Sequence, residues 1–97
     1  MDVFDALADP TRRGILQAVA AHPASATQLA GDLPISRQAV VKHLGALAQA
    51  GLVERERAGR EVRYRVRPEP LSEAVSWMAE VGAQWDERLA RLARLTR

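Results

Sequence analysis

Hydrophobic positions along the first third of the chain follow a helical spacing that is interrupted by recognisable start and stop residues. Apolar residues predict a short helix over residues 3–8. A second helix is expected to start at Asp9, as N-cap, with Pro10 in its first turn, where the missing N–H is not needed. We expect this helix to end at His22-Pro23, because a residue before proline disfavours the helical conformation.

The middle of the chain predicts two further helices joined by a tight connection. Ser25 and Gln28 have the spacing of a capping box and predict a short third helix that ends at Pro34. Ser36 is expected to cap a fourth helix that runs to about Ala50. The predicted core-facing positions of the fourth helix are Val40, Leu44 and Leu47, with Gly51 as the left-handed residue after its end.

After Gly51 the spacing of apolar residues changes from the helical period to a period of two. Residues 53–57 and 61–67 alternate in polarity around Ala58-Gly59, which predicts a β-hairpin. Its predicted apolar face consists of Val53, Val62, Tyr64 and Val66. We expect Arg55, Arg63 and Arg65 on the outer face, and a tip formed by residues 57–60 with the guanidinium groups of Arg57 and Arg60.

The last segment predicts one long helix over residues 71–95. Its apolar positions recur at alternating spacings of four and three, as in a coiled-coil seam. At 1.5 Å per residue the helix would be roughly 37 Å long, which exceeds what a small domain can cover. We therefore expect a dimer interface there, although such a seam could also pack on its own domain. The predicted interface comprises Val75, Met78, Gly82, Trp85, Leu89 and Leu92 from the long helix, with Val3, Phe4 and Leu7 alongside.

Composition and charge narrow the range of functions. The chain has 97 residues and no cysteine, which predicts a single domain over residues 1–97 without disulfides, thiolate metal ligands or a cysteine nucleophile. The net charge is only +2, but residues 33–67 carry eight basic against three acidic side chains. A basic stripe between acidic ends is typical of a surface that meets a polyanion, although an arginine-rich solvated surface would look similar.

The order of short helix, tight turn, capped helix and basic hairpin predicts a winged helix-turn-helix, with the helix-turn-helix at about 25–50 and the wing at about 52–67. The overall class is therefore mainly α with a small β-hairpin (α+β). Arginine and glutamine can hydrogen-bond guanine and adenine edges in the major groove, and valine can contact a thymine methyl group. The predicted DNA-binding residues are Ser25, Thr27, Ser36, Arg37, Gln38, Val41, Lys42, His43, Arg57 and Arg60.

Three stretches resemble the ArsR/SmtB-type winged-helix bacterial repressors: FDALADPTRRGIL (4–16), ISRQAVVKHLGALAQAGLVERERAGREVRYRV (35–66) and WDERLARL (85–92). The resemblance implies a homodimer built from the first and last helices. It also implies binding to a near-palindromic double-stranded operator and repression of the protein's own operon by blocking polymerase. The ending with Trp77 and Trp85 looks like the metal-independent branch of this family.

The chain departs from the metal-sensing members of that family. Their sites use cysteines, or histidine and acidic ligands on the last helix, whereas here the histidines are His22 in a loop and His43 on the fourth helix. Two isolated histidines do not form a zinc site, so we expect no metal and no cofactor. His43 is expected to pack against the wing or to bind a phosphate, and His22 to be a solvated loop residue.

Other functions stay open at this point. No pair of acids or nucleophile–base pair predicts catalysis, so we expect no enzyme. No apolar run approaches the length of a membrane span, and we expect no membrane partner and a cytoplasmic protein. A protein-interaction module with a winged-helix fold is the alternative from another class. A second alternative keeps DNA binding but adds an unidentified inducer, such as a small organic ligand at the dimer interface near Gly82.

Overall fold

The computed structural model describes residues 2–95, which form five helices and a small antiparallel sheet. In chain order the elements are α1 (Val3–Leu7), α2 (Pro10–Ala21), β1 (Ala24–Ser25), α3 (Ala26–Asp32), α4 (Arg37–Gln49), β2 (Val53–Ala58), β3 (Glu61–Val66) and α5 (Pro68–Leu95). This is the predicted winged helix-turn-helix architecture, mainly helical with a hairpin and a long last helix.

The starts of α2, α3 and α4 are fixed by the caps that the sequence predicts. Asp9 Oδ1 accepts hydrogen bonds from the backbone N–H groups of Thr11 at 2.7 Å and Arg12 at 3.3 Å. At the start of α3, the Ser25 and Gln28 side chains each accept from the backbone N–H of the other residue, at 3.2 and 2.9 Å. These caps satisfy N–H groups that have no partner within a helix.

The end of α4 is a Schellman motif built around Gly51. Gly51 has a φ of +78°, in the left-handed region that favours glycine. Its N–H donates to Ala48 O at 3.0 Å, and the N–H of Leu52 donates to Leu47 O at 2.9 Å. Leu52 is fully buried, so the motif turns the chain from α4 directly into the sheet.

Two arginines of α2 anchor α1. Arg12 donates from Nε to Ala6 O at 3.0 Å and from Nη2 to Asp5 O at 3.1 Å. Arg13 donates from Nη1 to Leu7 O at 2.7 Å. Because the last carbonyl groups of a helix lack partners within it, these bonds hold α1 in a fixed position against α2.

The sheet has three strands in the order β1-β3-β2, whereas the sequence predicts only the hairpin of β2 and β3. The added strand pairs Ala24 with Tyr64 and Ser25 with Arg63. A strand of two residues is too short to show alternating polarity, so the sequence alone does not predict it. The pairing of β1 with β3 attaches the wing to the start of α3, so the wing and α3 are held in a fixed relative position.

The core lies between α2, α3, α4 and the sheet. Of the predicted apolar face of the hairpin, Val53 and Tyr64 are buried and Val62 and Val66 are half-buried. The side chains of the predicted stripe of α4 are all fully buried. The larger core residues are Ile15, Leu16, Val19, Leu29, Val40, Leu44, Leu47, Leu52, Val53 and Tyr64.

The last helix extends well beyond this core. It begins at Pro68, three residues before the predicted start, because proline is tolerated in the first turn of a helix. Its 28 residues correspond to about 42 Å, and the described chain is 66 Å long but only 25 Å wide. None of the described helices is long and apolar enough to cross a membrane.

Candidate nucleic-acid interface

The start of α4 presents polar side chains and free backbone donors to solvent. Ser36 Oγ accepts from the backbone N–H of Ala39 at 3.1 Å and so caps the helix. With the core stripe turned inward, the opposite face exposes Arg37, Gln38 and Lys42. Val41 belongs to the same face and is 41% exposed, an apolar side chain left outside the core. This combination provides the donors, acceptors and apolar contact that reading a base edge requires.

Arg37 is oriented by the preceding helix. Its Nε donates to Thr27 Oγ1 at 3.1 Å, which joins the exposed start of α4 to the exposed start of α3. Four further N–H groups of Arg37 stay available, because a guanidinium carries five donors in all. Thr27 therefore positions the arginine in addition to its predicted phosphate contact.

Ser25 differs from the other predicted phosphate contacts in its burial. It is 6% exposed, and its hydroxyl accepts the Gln28 N–H within the capping box. Ser25 therefore has a structural role as the cap of α3. The sequence alone did not distinguish this role from the predicted phosphate contact. Thr27 is the exposed hydroxyl at this helix start.

The register of the wing decides which arginines share a face. Arg55 lies opposite Tyr64 and Arg57 opposite Val62, and residues directly opposite in an antiparallel pair point to the same side. Arg55 is therefore on the same face as the apolar row, and its predicted place on the outer face is wrong. The sequence already contained this information, because Val53, Arg55 and Arg57 are spaced two residues apart and alternate residues of a strand point to the same face.

The outer face of the wing is an ion-pair network. Arg65 Nε donates to Glu54 Oε1 at 2.7 Å and lies 3.6 Å from Glu56 Oε2. The hydrogen bond that Arg65 donates to Glu54 is the main reason that the pKa of Arg65 is raised. Arg63 lies 3.6 Å from Glu61, and Arg67 lies 3.9 Å from Glu54. The positive charge of this face is thus largely balanced by carboxylates.

The tip of the wing is a two-residue turn. Ala58 pairs with Glu61, which leaves Gly59 and Arg60 as the loop. Gly59 has a φ of +65°, which the tight turn requires and glycine adopts without strain. No ion pair within 4.0 Å involves Arg55, Arg57 or Arg60 among the described residues.

A groove separates the wing from the two helix starts. Its volume is about 400 Å³. One wall is formed by Thr27, Arg37 and Val41, and the other by wing residues that include Arg55, Arg60 and Tyr64. The groove brings together predicted DNA-binding residues from three separate elements, and it adds Arg55, which was not among the predicted DNA-binding residues.

The two histidines occupy unrelated places. His43 is half-buried on α4 and, after the backbone hydrogen bonds from Arg12 and Thr11, contributes to the lowered pKa of Asp9. His22 is exposed, with Nδ1 2.8 Å from Pro23 O. Residues 2–95 contain no group of three or more potential metal ligands.

The predicted interface positions of α5 are exposed in the single chain. Leu89 is 58% exposed, and a Cβ built on Gly82 would contact no other part of the chain. Phe4 contacts Trp77 edge to face, with ring centroids 5.5 Å apart, whereas Val3 and Leu7 are half-buried against the core. The other exposed apolar positions of the stripe are Val75, Met78, Trp85 and Leu92.

Comparisons with known proteins agree with this architecture. Residues 7–56 match a family described as a helix-turn-helix domain. The chain is 32% identical over 77 residues to the transcriptional repressor SdpR of Bacillus subtilis, covering 79% of this chain and 86% of SdpR. It superposes on an ArsR-like transcriptional regulator from Rhodococcus sp. RHA1 with a TM-score of 0.86 and 45% identity, covering 96% and 88% of the two chains.

A third similarity concerns a solved dimer. The homodimeric winged helix-turn-helix DNA-binding domain of Mycobacterium bovis Mb0332, described as a possible ArsR-family transcriptional regulator, matches with a TM-score of 0.68 and 27% identity. The match covers 84% of this chain and 76% of that domain. Taken with the fold and the exposed face of α4, these matches place the chain in a defined class, the winged helix-turn-helix transcriptional regulators. The chain belongs to the ArsR family of that class.

Proposed function

We propose that this regulator binds operator DNA as a homodimer and represses transcription of its own operon. The observation that carries the proposal is the exposed start of α4, where Arg37, Gln38, Val41 and Lys42 face solvent next to a basic wing. A helix-turn-helix places this part of its second helix in the major groove, where residues at its start meet the base edges.

The residues divide between reading bases and holding phosphates. Arg37 and Gln38 have the side chains that bind guanine and adenine with two hydrogen bonds, and Val41 can contact a thymine methyl group. Ser36, with the free N–H groups behind it, suits a phosphate, as does Thr27 at the start of α3. Arg57 and Arg60 at the wing tip suit the adjacent backbone or minor groove. Lys42 and His43 are proposed at the edge of this contact.

The proposed dimer joins α1 and α5 of two chains. Seven large apolar side chains of this surface lie more than 45% exposed: Phe4, Val75, Met78, Trp77, Trp85, Leu89 and Leu92. An exposed apolar patch of this kind, on one long helix and the adjoining Phe4 of α1, is typical of an interface. The homodimeric relative supports a dimer of this fold. Two-fold symmetry then places two copies of α4 about 34 Å apart, on successive turns of a near-palindromic operator.

The proposal includes neither catalysis nor metal sensing, and it places the protein in the cytoplasm with its DNA. The family is one of transcriptional regulators, and the chain has no cysteine. His22 and His43 lie on separate elements, one in the loop after α2 and one on α4. The whole chain is proposed to act as one domain, with the helix-turn-helix, wing and dimerisation helix as its parts.

Footprinting of the DNA upstream of the gene tests this proposal. We expect protection of two half-sites with centres about 10–10.5 base pairs apart, or a multiple of that distance. Transcription from the protected promoter should decrease when the protein is added. Absence of protection at any upstream sequence would contradict autorepression, and binding to a protein partner without DNA would favour the interaction module.

A further inference from the structure

The positive charges of the wing are divided between its two faces. On the outer face, Arg63, Arg65 and Arg67 lie within 4.0 Å of glutamates. On the groove face, Arg55 and Arg57 have no such partner among the described residues, and the same holds for Arg60 in the turn. Seven arginines lie between residues 33 and 67. The strand register places three of them beside glutamates, so only the other arginines keep a positive charge without an ion-pair partner within residues 2–95.

We propose that the groove between α4 and the wing holds a backbone phosphate of the DNA and that Arg55 is its ligand from the wing. The inference rests on the proposed function, because it assigns a contact within the same DNA complex. It adds a residue that neither the sequence prediction nor the family match assigns. It also implies that the arginines of the outer face do not contact the DNA.

The position of Arg55 supports a contact inside the groove and not at the tip. Arg55 lies opposite Tyr64 in the middle of the strand pair, three positions from the last paired residue of β2. Tyr64 is 8% exposed and pairs with Ala24 on its other side, so the backbone at this point is held by neighbours on both edges. Arg55 lies on the edge strand β2 and is paired directly with this central strand, which limits the movement of the backbone that carries its guanidinium.

The opposite wall of the groove supplies a second guanidinium and a hydroxyl. Arg37 is oriented there by its 3.1 Å hydrogen bond to Thr27. Arg55 and Arg60 line the facing wall. Arg55 and Arg60 on one wall and the Thr27 hydroxyl on the other match the several acceptor oxygens of a phosphate, which guanidinium groups bind with paired hydrogen bonds, while Arg37 adds positive charge beside them.

The charge balance of the groove favours an anion in it. Glu61 is the acidic residue that lines it, and its Oε2 lies 3.6 Å from Arg63 Nε. Glu61 therefore belongs to the ion pairs of the outer face. Three guanidinium groups around a groove of about 400 Å³ repel one another unless an anion enters, and a phosphate between them would relieve that repulsion.

Salt dependence of binding to a mixed-sequence DNA duplex tests the inference, because phosphate contacts do not depend on sequence. Fluorescence anisotropy of the full chain gives the slope of log K against log salt concentration. Each phosphate contact contributes about 0.9 to that slope on B-DNA. Arg55→Gln is expected to flatten the slope by about 0.9 per bound protomer, and Arg55→Lys is expected to restore most of it.

Arg65→Gln is the matched control, since it removes the same charge from the neighbouring strand of the same hairpin. It should change the slope by less than half as much as Arg55→Gln. Circular dichroism and the thermal midpoint of each variant show whether the hairpin is folded. The Lys variant keeps the test valid if the Gln variant is destabilised, because restored binding then depends on charge.

The outcomes separate this inference from the proposed function. A wild-type protein that binds with a steep slope, together with an unchanged slope in Arg55→Gln, would overturn the phosphate contact while leaving the regulator intact. Equal losses in Arg55→Gln and Arg65→Gln would overturn the division of charge between the faces. Absence of salt-dependent binding by the wild-type protein would contradict the proposed function itself, and the phosphate contact with it.

Discussion

Arg37 and Gln38 are the first two residues of α4 and both are exposed, so they carry the proposed reading of base edges. Replacing Arg37 or Gln38 by alanine should reduce affinity for the operator by roughly 1–3 kcal/mol and relax specificity at one base pair. Anisotropy titrations against a set of operators with single base-pair changes measure both effects. Unchanged operator affinity of Arg37→Ala would contradict the assigned reading face.

Gly51 is the residue at which backbone conformation constrains the sequence most clearly. Its φ is +78°, and an added Cβ would lie 3.7 Å from Pro70 Cγ, an ordinary contact. The effect of Gly51→Ala therefore comes from the left-handed backbone, and the free energy of unfolding should fall by about 1–2 kcal/mol. Urea denaturation at fixed protein concentration measures it.

Gly14→Ala is the matched control for that substitution. Gly14 lies in the interior of α2, and a Cβ there would meet no other atom within 4 Å. Alanine should stabilise this helix by about 0.5–1 kcal/mol. Equal effects of the two substitutions would contradict the strain that we assign to Gly51.

At the scale of single residues the sequence predicted the helix caps correctly and misplaced one arginine of the wing. The helix caps Asp9, Ser25 and Ser36 were predicted because short polar side chains before an apolar stripe have a local cause. Arg55 was assigned to the wrong face of the hairpin, although its spacing of two residues from Val53 places both on the same face.

Among the elements, α2 is stabilised at its start by a cap that titrates, the carboxylate of Asp9. Backbone hydrogen bonds from Arg12 and Thr11 lower the pKa of Asp9 below its ordinary value of 3.8. A lowered pKa in the folded state means that the carboxylate stabilises the fold above the ordinary value. That contribution is lost as the pH falls through the lower folded-state pKa.

Asp9→Asn tests this dependence, because asparagine still caps the helix but does not titrate. The difference in the free energy of unfolding between wild type and Asp9→Asn should be largest near neutral pH and shrink as the pH approaches 2. Chemical denaturation at several pH values measures the difference. A constant difference across this range would contradict the ionised cap.

Element boundaries were predictable where a local signal marked them. The hairpin and the four compact helices agree with the sequence to within a few residues, since caps, prolines and periodicity act locally. Strand β1 was missed because its existence depends on pairing with β3, not on its own two residues. The early start of α5 at Pro68 was missed because the apolar spacing that predicts this helix begins only at Leu71.

For the whole molecule, the exposed stripe of α5 predicts association. Leu89→Glu would place a carboxylate in the proposed interface, and we expect sedimentation analysis to show a shift from dimer to monomer. Binding to a two-half-site operator should weaken in parallel, because each chain then binds one half-site alone.

Ala83→Glu is the control for that variant, since Ala83 lies on the other side of α5 from the stripe and is also exposed. It introduces the same charge into the same helix and should leave the dimer unchanged. Dissociation by both variants, or by neither, would contradict an interface along the stripe of Leu89.

For the whole molecule we claim that this chain recognises its own upstream DNA by sequence and by charge together. The most direct measurement is fluorescence anisotropy of the purified protein with the upstream duplex and with a scrambled duplex, each at two salt concentrations. We expect tighter binding to the upstream duplex and a steep loss of affinity at higher salt for both. Equal affinity for the two duplexes, with little effect of salt, would contradict the claim.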